Sequence, residues 1–237
     1  MKSTLGAAEV VSSPGYSRPE RIADAAIHAL GLAFGVAACV GLVTAMWERG
    51  GLVHFVGLGL YAFGLISMLS CSALYNLTND PARKSLFRRF DHAAIFVMIA
   101  GTYTPFALIA IGGPWGAGLL AFVWIVAAFG VVLKLINPGR FERLSIAAYL
   151  LMGWSILVAL DPLFAAVSLS GIVLLAVGGV LYSVGVMFHL SVRLPYHNAV
   201  WHLFVLAAAV CHYAAVLGDV VATGELRNTG RTILFDR

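Results

Sequence analysis

Apolar residues run along this chain in long blocks, separated by short clusters of charge, proline and glycine. Seven blocks are readable, at roughly 23–46, 52–76, 91–111, 115–136, 143–160, 168–190 and 199–219. Most reach the ~20 apolar residues that a helix needs to cross a bilayer, and the fifth is the shortest. The breaks carry recognisable stop signals. Trp47–Gly51 holds charges and a glycine pair, Leu77–Arg89 holds Asp80, Pro81 and four cations, and Gly112–Pro114 is a tight turn. Pro138 and Gly139 precede the fifth block, Asp161–Pro162 is expected to end it, and Arg193–Pro195 precedes the seventh. The pattern predicts an all-α integral membrane bundle of seven transmembrane helices. It divides the chain into a short N-terminal segment at 1–20, a seven-helix domain at 21–219 and a tail at 220–237.

Composition removes the alternatives. The 237 residues are 61% hydrophobic and 11% charged, with a mean hydropathy of +0.93. Soluble domains carry about 25% charged residues, so a soluble enzyme and a disordered chain are both excluded. The formal net charge of +4 comes without a basic run interleaved with aromatics, so no nucleic-acid partner is expected. Cys39, Cys71 and Cys211 lie in apolar blocks without metal-type spacing and read as small buried hydrophobes. Residues 1–20 lack the apolar core of a cleaved signal sequence.

The basic residues orient the bundle. Eleven of the 15 fall on the side that carries the N-terminal segment and the loops after helices two, four and six. Cationic loops stay cytoplasmic, so the N-terminus is expected inside and the C-terminus outside, the reverse of a G-protein-coupled receptor.

Ionisable groups inside spans are costly and are functional suspects by default. The set is Asp24, His28, His54, Asp91, His92, His189, His202 and His212, with His197 just before the last block. Topology puts Ser72 and Asn76 near the inner end of helix two, and Asp91, Asn198 and His202 near the inner ends of helices three and seven. Ser72 and Asn76 are four residues apart, as are Asn198 and His202, so each pair shares a helix face. Two readings stay open from spacing alone. The residues form one polar cluster at the inner face, or Asp91 caps helix three and pairs with Arg88 or Arg89 while the others bond between helices. His28 and His212 are each expected to bond a neighbouring helix, and His54 and His189 to be solvated near the interfaces. His212 lies ~15 Å along the helix from His202, too far to share a site with it.

Four stretches carry a resemblance. They are Glu20-Arg-Ile-Ala-Asp-Ala-Ala-Ile-His28, Ser72-Ala-Leu-Tyr-Asn76, Phe90-Asp-His-Ala-Ala-Ile-Phe-Val-Met-Ile-Ala-Gly-Thr-Tyr-Thr-Pro-Phe106 and Pro195-Tyr-His-Asn-Ala-Val-Trp-His202. With them the chain, over about residues 18–217, resembles the hemolysin III family of bacterial membrane proteins. That family is related to the progestin and adipoQ receptors and more distantly to alkaline ceramidases. The resemblance implies seven helices with the N-terminus inside, a place in the bacterial inner membrane, and a zinc site. In the family pattern, Ser-x-x-x-His on helix two and His-x-x-x-His on helix seven supply three imidazole ligands, and a helix-three Asp holds the zinc-bound water. Three protein ligands leave a position open for water, as in catalytic zinc sites. Such a water can attack an amide or ester carbonyl with the Asp as base, and the implied substrate is a lipid amide or ester.

This sequence departs from the pattern at two ligand positions, which hold Asn76 and Asn198; only His202 keeps its imidazole. A structural zinc site gains ~10–16 kcal/mol from about four ligands, so losing two is expected to abolish tight binding. His197 is the one candidate to replace a ligand, but it lies ~140° around the helix from His202. Asn at both positions is compatible with a natural pseudoenzyme, a rearranged site or deliberate removal of the ligands.

Three functions follow. The first is a zinc-type lipid amide or ester hydrolase, intact or disabled, with Asp91 as base, Ser72 as an oxyanion or water contact and His202 as the surviving ligand. The second is a non-catalytic bundle that senses lipid or permeabilises membranes. The third is proton or ion movement through Asp24, His28, Asp91 and His202.

Overall fold

A computed structural model describes residues 17–137 and 141–222. Among them, seven helices are long and apolar enough to cross a membrane. They are α1 (Arg18–Arg49), α2 (Leu52–Leu77), α3 (Pro81–Ile111), α4 (Gly113–Ile136), α5 (Glu142–Ala166), α6 (Leu169–Leu190) and α7 (His197–Val221). Most of the N-terminal segment, the 138–140 loop and the tail from 223 lie outside the described residues, and with them Lys2, Arg140, Arg227, Arg231 and Arg237.

Three helices run further than the apolar pattern predicts. Helix α1 starts at Arg18 because Ser17 and Glu20 form a reciprocal cap: the Ser17 N–H donates to Glu20 Oε2 at 2.8 Å and the Glu20 N–H to Ser17 Oγ at 3.4 Å. Helix α3 starts ten residues before Asp91. Asp80 accepts from the Arg83 N–H at 2.8 Å, and Pro81 occupies the first turn. Capping of α3 by Asp91 is therefore corrected: the cap is Asp80. Asp161–Pro162 does not end the fifth span. The chain tightens into a 3-10 stretch at Ser155–Ala159 and resumes as α-helix from Leu160 to Ala166, where Pro162 stands in the first turn and needs no helical donor. The Tyr103 hydroxyl fills this break, donating to the Gly153 carbonyl at 2.8 Å and accepting from the Ile156 N–H at 3.0 Å.

Burial follows the logic of a membrane solvent. Large apolar side chains such as Val36, Val40, Phe63, Ile125, Phe129 and Val177 point outward. The interior packs Tyr61, Phe96, Leu58 and Leu65 among small residues and also encloses Asp24, His28, Thr104, Lys134 and His202. Helix α3 is the central span and packs on α2 and α4, while α1 bridges α2 and α7. At the α2–α3 crossing, a Cβ at Gly101 would lie 2.8 Å from the Leu60 carbonyl oxygen, and one at Gly64 would lie 3.0 Å from that of Val97. Small residues at such crossings let membrane helices approach closely, so dispersion and packing can hold them without a hydrophobic drive.

Candidate functional site

The site lies where the N-terminal parts of α1 and α7, and α3 about three turns past its start, meet the last turns of α2. Glu20 ties two of these together, since its Oε1 accepts from the Tyr196 N–H at 2.9 Å just before α7. The same end carries an Arg88–Glu142 ion pair between α3 and α5, and Arg89 donates to the Leu135 carbonyl at the end of α4.

Within this frame, Asp24 and His202 form the tightest contact, Oδ1 to Nδ1 at 2.6 Å, with both residues buried. An ionised carboxylate only accepts, so the proton sits on Nδ1 and the Nε2 lone pair of His202 is left facing α2. There it meets Ser72 Oγ and Asn76 Nδ2, each at 3.5 Å. The second Asp24 oxygen lies 3.6 Å from His28 Nε2 and 3.4 Å from Asn198 Nδ2. The His28 and His202 rings are 4.4 Å apart between centroids. Asp91, on α3, contacts Ser72, and its carboxylate lies 4.0 Å from His92 Nε2.

The two asparagines are turned by their neighbours. Asn76 Nδ2 donates to the Ser72 carbonyl at 2.9 Å, and a backbone carbonyl cannot donate, so this end of the side chain is the amino group. The Asn76 oxygen then accepts from Asn198 Nδ2 at 3.1 Å. Both amides are thus spent on hydrogen bonds, and Asn76 presents N–H, not oxygen, toward His202. This donor set does not fit a zinc ion at the positions the family pattern prescribes. A different set gathers instead: Asp24, His28 and His202 bring one ligand atom each within 4.8 Å of one another, a triad able to hold a metal. As it stands, two of its three donors are joined by a short hydrogen bond that a metal would have to open.

A cavity of about 660 Å³ opens from the cluster. Asp91, Ser72, Asn76, Asn198, His202 and His197 line it, as do Lys84, Arg88 and Arg143. Further in, its wall is mainly apolar, with Met68, Leu69, Met98 and Leu206, and is interrupted by Thr102, Tyr182, Ser183 and His212.

Ser72, Asn76, Asp91, Asn198 and His202 therefore come together in one cluster. His197 opens α7 and lines the cavity but is not part of the three-donor group. Arg88 pairs with Glu142, and Arg89 donates to the Leu135 carbonyl. His212 bonds a neighbouring helix as its isolation suggests, Nε2 to the Leu175 carbonyl at 3.3 Å. His28 instead joins the site, and half-buried His189 lines the cavity with its ring 5.3 Å from that of Trp201. The structure adds Asp24 and His28 to the group foreseen. The available signal was their own four-residue spacing, the same as that of Ser72/Asn76 and Asn198/His202.

Comparison with known proteins agrees with this architecture. Residues 17–213 match the family model described as Haemolysin-III related. The chain is 38% identical over 206 residues to Hemolysin-3 of Bacillus cereus, covering 87% of this chain and 94% of that protein. It is 37% identical over 202 residues to the Hemolysin-3 homolog of Bacillus subtilis (strain 168), covering 85% and 95%. It is also 29% identical over 164 residues to the Monocyte to macrophage differentiation factor of Homo sapiens, covering 68% and 66%. With seven spans around one buried polar cluster and a family match along most of its length, this chain is an integral multi-pass membrane protein and belongs to the Haemolysin-III related family.

Proposed function

We propose that the protein hydrolyses the acyl bond of a membrane lipid, an amide or an ester, in the cavity between α2, α3 and α7. The observation that carries this reading is the cavity's polarity. Ionisable groups and amides gather at the end that holds Lys84, Arg88 and Arg143, and the wall beyond is mainly apolar, with Thr102, Tyr182, Ser183 and His212 as its polar points. A lipid carries the same division, with its acyl carbonyl at the boundary between headgroup and chain. The carbonyl would stand beside Ser72 and His202, Asp91 would orient the attacking water, and the chain would lie along Met98 and Leu206. Asp91 and His202 both lie beside Ser72, which brings a base and a proton carrier to one reacting centre.

Zinc has no step in this proposal, because Asn76 and Asn198 turn their amides to each other. The asymmetry of the basic residues supports an N-terminus inside, which places the polar end of the cavity at the cytoplasmic surface. The family supports a place in the bacterial inner membrane.

The test is release of free fatty acid. Purified protein is reconstituted into vesicles that contain phospholipids, acyl amides and simple acyl esters. Release by the parent chain, lost in Asp91→Asn, is the expected result. Release no faster than from protein-free vesicles, for every ester and amide class, overturns the reading.

A non-catalytic reading has one observation in its favour: the Bacillus relatives carry the name Hemolysin-3. It expects dye leakage from liposomes that Asp91→Asn leaves unchanged.

A further inference from the structure

We infer that Asp24, His202 and Ser72 form a metal-independent acyl-transfer relay, with Ser72 as the nucleophile and Asn76 as an oxyanion donor. The inference rests on the hydrolase reading above and assigns its acyl-transfer steps to named side chains of this chain.

The geometry has three parts. First, Asp24 Oδ1 holds the His202 Nδ1–H at 2.6 Å. That contact fixes the tautomer, leaves Nε2 free to accept a proton and stabilises the imidazolium that forms when it does. Asp24 is itself held from its other oxygen by Asn198 at 3.4 Å and His28 at 3.6 Å. Second, His202 Nε2 faces Ser72 Oγ at 3.5 Å. A base–nucleophile contact is often this loose before substrate arrives and tightens in the complex. Third, Asn76 has two amide hydrogens. One is spent on the Ser72 carbonyl, and the same nitrogen lies 3.5 Å from both Ser72 Oγ and His202 Nε2. Its second hydrogen faces Ser72 Oγ and His202 Nε2 at this loose distance, and in the relay it turns to the carbonyl oxygen that acquires charge beside Ser72. The substitution that removes a metal ligand supplies a neutral donor of the kind that stabilises a tetrahedral oxyanion.

The reaction balances without a further reagent. Ser72 Oγ forms a bond to the acyl carbon while its proton passes to His202 Nε2, and the carbonyl electron pair moves onto oxygen beside Asn76. The tetrahedral intermediate collapses, the bond to the amine or alcohol breaks, and that leaving group takes the proton from His202. Water, oriented by Asp91, then attacks the acyl-Ser72 ester and gives its proton to His202. Ser72 leaves with that proton, and the fatty acid is released. Ser72 and His202 touch the reacting atoms, whereas Asp24 is a positioning residue.

The experiment uses the full chain in lipid nanodiscs and a long-chain alkyl fluorophosphonate, with mass spectrometry of the peptide that contains Ser72. The expected result is one phosphonyl adduct on Ser72, formed at the same rate with and without a strong metal chelator. Ser72→Ala, which removes a single oxygen, abolishes it. His202→Gln and Asp24→Asn slow labelling by about 10³–10⁴-fold. Because Asp24 acts through His202, Asp24→Asn changes the labelling rate at saturation and leaves the half-saturating probe concentration unchanged, whereas general loss of structure moves both. Two outcomes overturn the relay and leave the hydrolase reading standing: fatty-acid release without an adduct on Ser72, and release that a chelator stops and zinc restores. Absence of both adduct and fatty-acid release overturns the two readings together.

Discussion

Asp24 Oδ1 and His202 Nδ1 lie 2.6 Å apart although 178 positions separate them in the chain. The contact closes the first span onto the last. It also decides the chemistry of the site, because a neutral imidazole whose Nδ1–H is held by a carboxylate accepts a proton at Nε2 and donates there only after taking one up.

This pair is expected to be worth more than a surface ion pair, since both groups are buried. Removing one partner of a buried hydrogen bond leaves the other unsatisfied and costs about 1–3 kcal/mol, more where that group is a carboxylate. Asp24→Asn and His202→Gln should each lower the thermal midpoint in detergent, and the double variant should fall well short of the sum. Additive losses in a double-mutant cycle would show that the two side chains do not act as a unit.

The parent chain is expected to purify with far less than one zinc per molecule, and its thermal midpoint should be indifferent to a chelator. Introducing imidazoles with Asn76→His plus Asn198→His should bring the content close to one and make the midpoint chelator-sensitive. Elemental analysis by mass spectrometry reads the first quantity. One tightly held zinc in the unaltered protein would point to Asp24, His28 and His202 as its ligands.

Gly101→Ala should destabilise the bundle without touching the site. The added methyl would lie 2.8 Å from the Leu60 carbonyl and 3.5 Å from the Tyr61 Cα, both backbone atoms that cannot swing away. Overpacking of this kind costs about 1–3 kcal/mol. Gly118→Ala is the control, because nothing lies within 4 Å of its Cβ position. Equal thermal midpoints for the two variants would contradict the close α2–α3 crossing.

At the far end of the bundle, Asp219 reaches back to the start of α6, where its Oδ1 accepts from the Ser168 N–H at 2.7 Å. A carboxylate there satisfies an unpaired donor and complements the helix dipole. Asp219→Ala should cost about 1–2 kcal/mol and leave fatty-acid release or probe labelling unchanged, since the residue is remote from the cavity. Loss of labelling in this variant would mean that the two ends of α7 are coupled.

The spans were legible in the sequence because hydrocarbon imposes a length, and no tertiary contact is needed to read it. Their ends were less legible where a local cap outruns the apolar block. Ser17 with Glu20, and Asp80 with Pro81, add turns that hydropathy does not register, because polar residues can wind a helix beyond the hydrocarbon. Asp161–Pro162 misleads in the opposite direction. Proline breaks a helix only where its missing N–H is needed, and here the preceding 3-10 stretch has already freed that turn.

The candidate site divides in the same way. Alternating topology and four-residue spacing bring Ser72 and Asn76 on α2 to the same end as Asn198 and His202 on α7, and that much follows from helix geometry and from counting spans. By itself, the sequence determined seven spans and gathered Ser72, Asn76, Asn198 and His202 at one end of the bundle, because each of these is a property of residue type and order along a helix. Only the tertiary structure decided that Asp24 and His28 enter the cluster, that His197 stays apart from its donor triad, and that the two asparagines spend their amides on each other. Those outcomes depend on the rotation of α1 and α7 about their own axes. That rotation is set by side-chain packing across the whole bundle, and no local pattern encodes it.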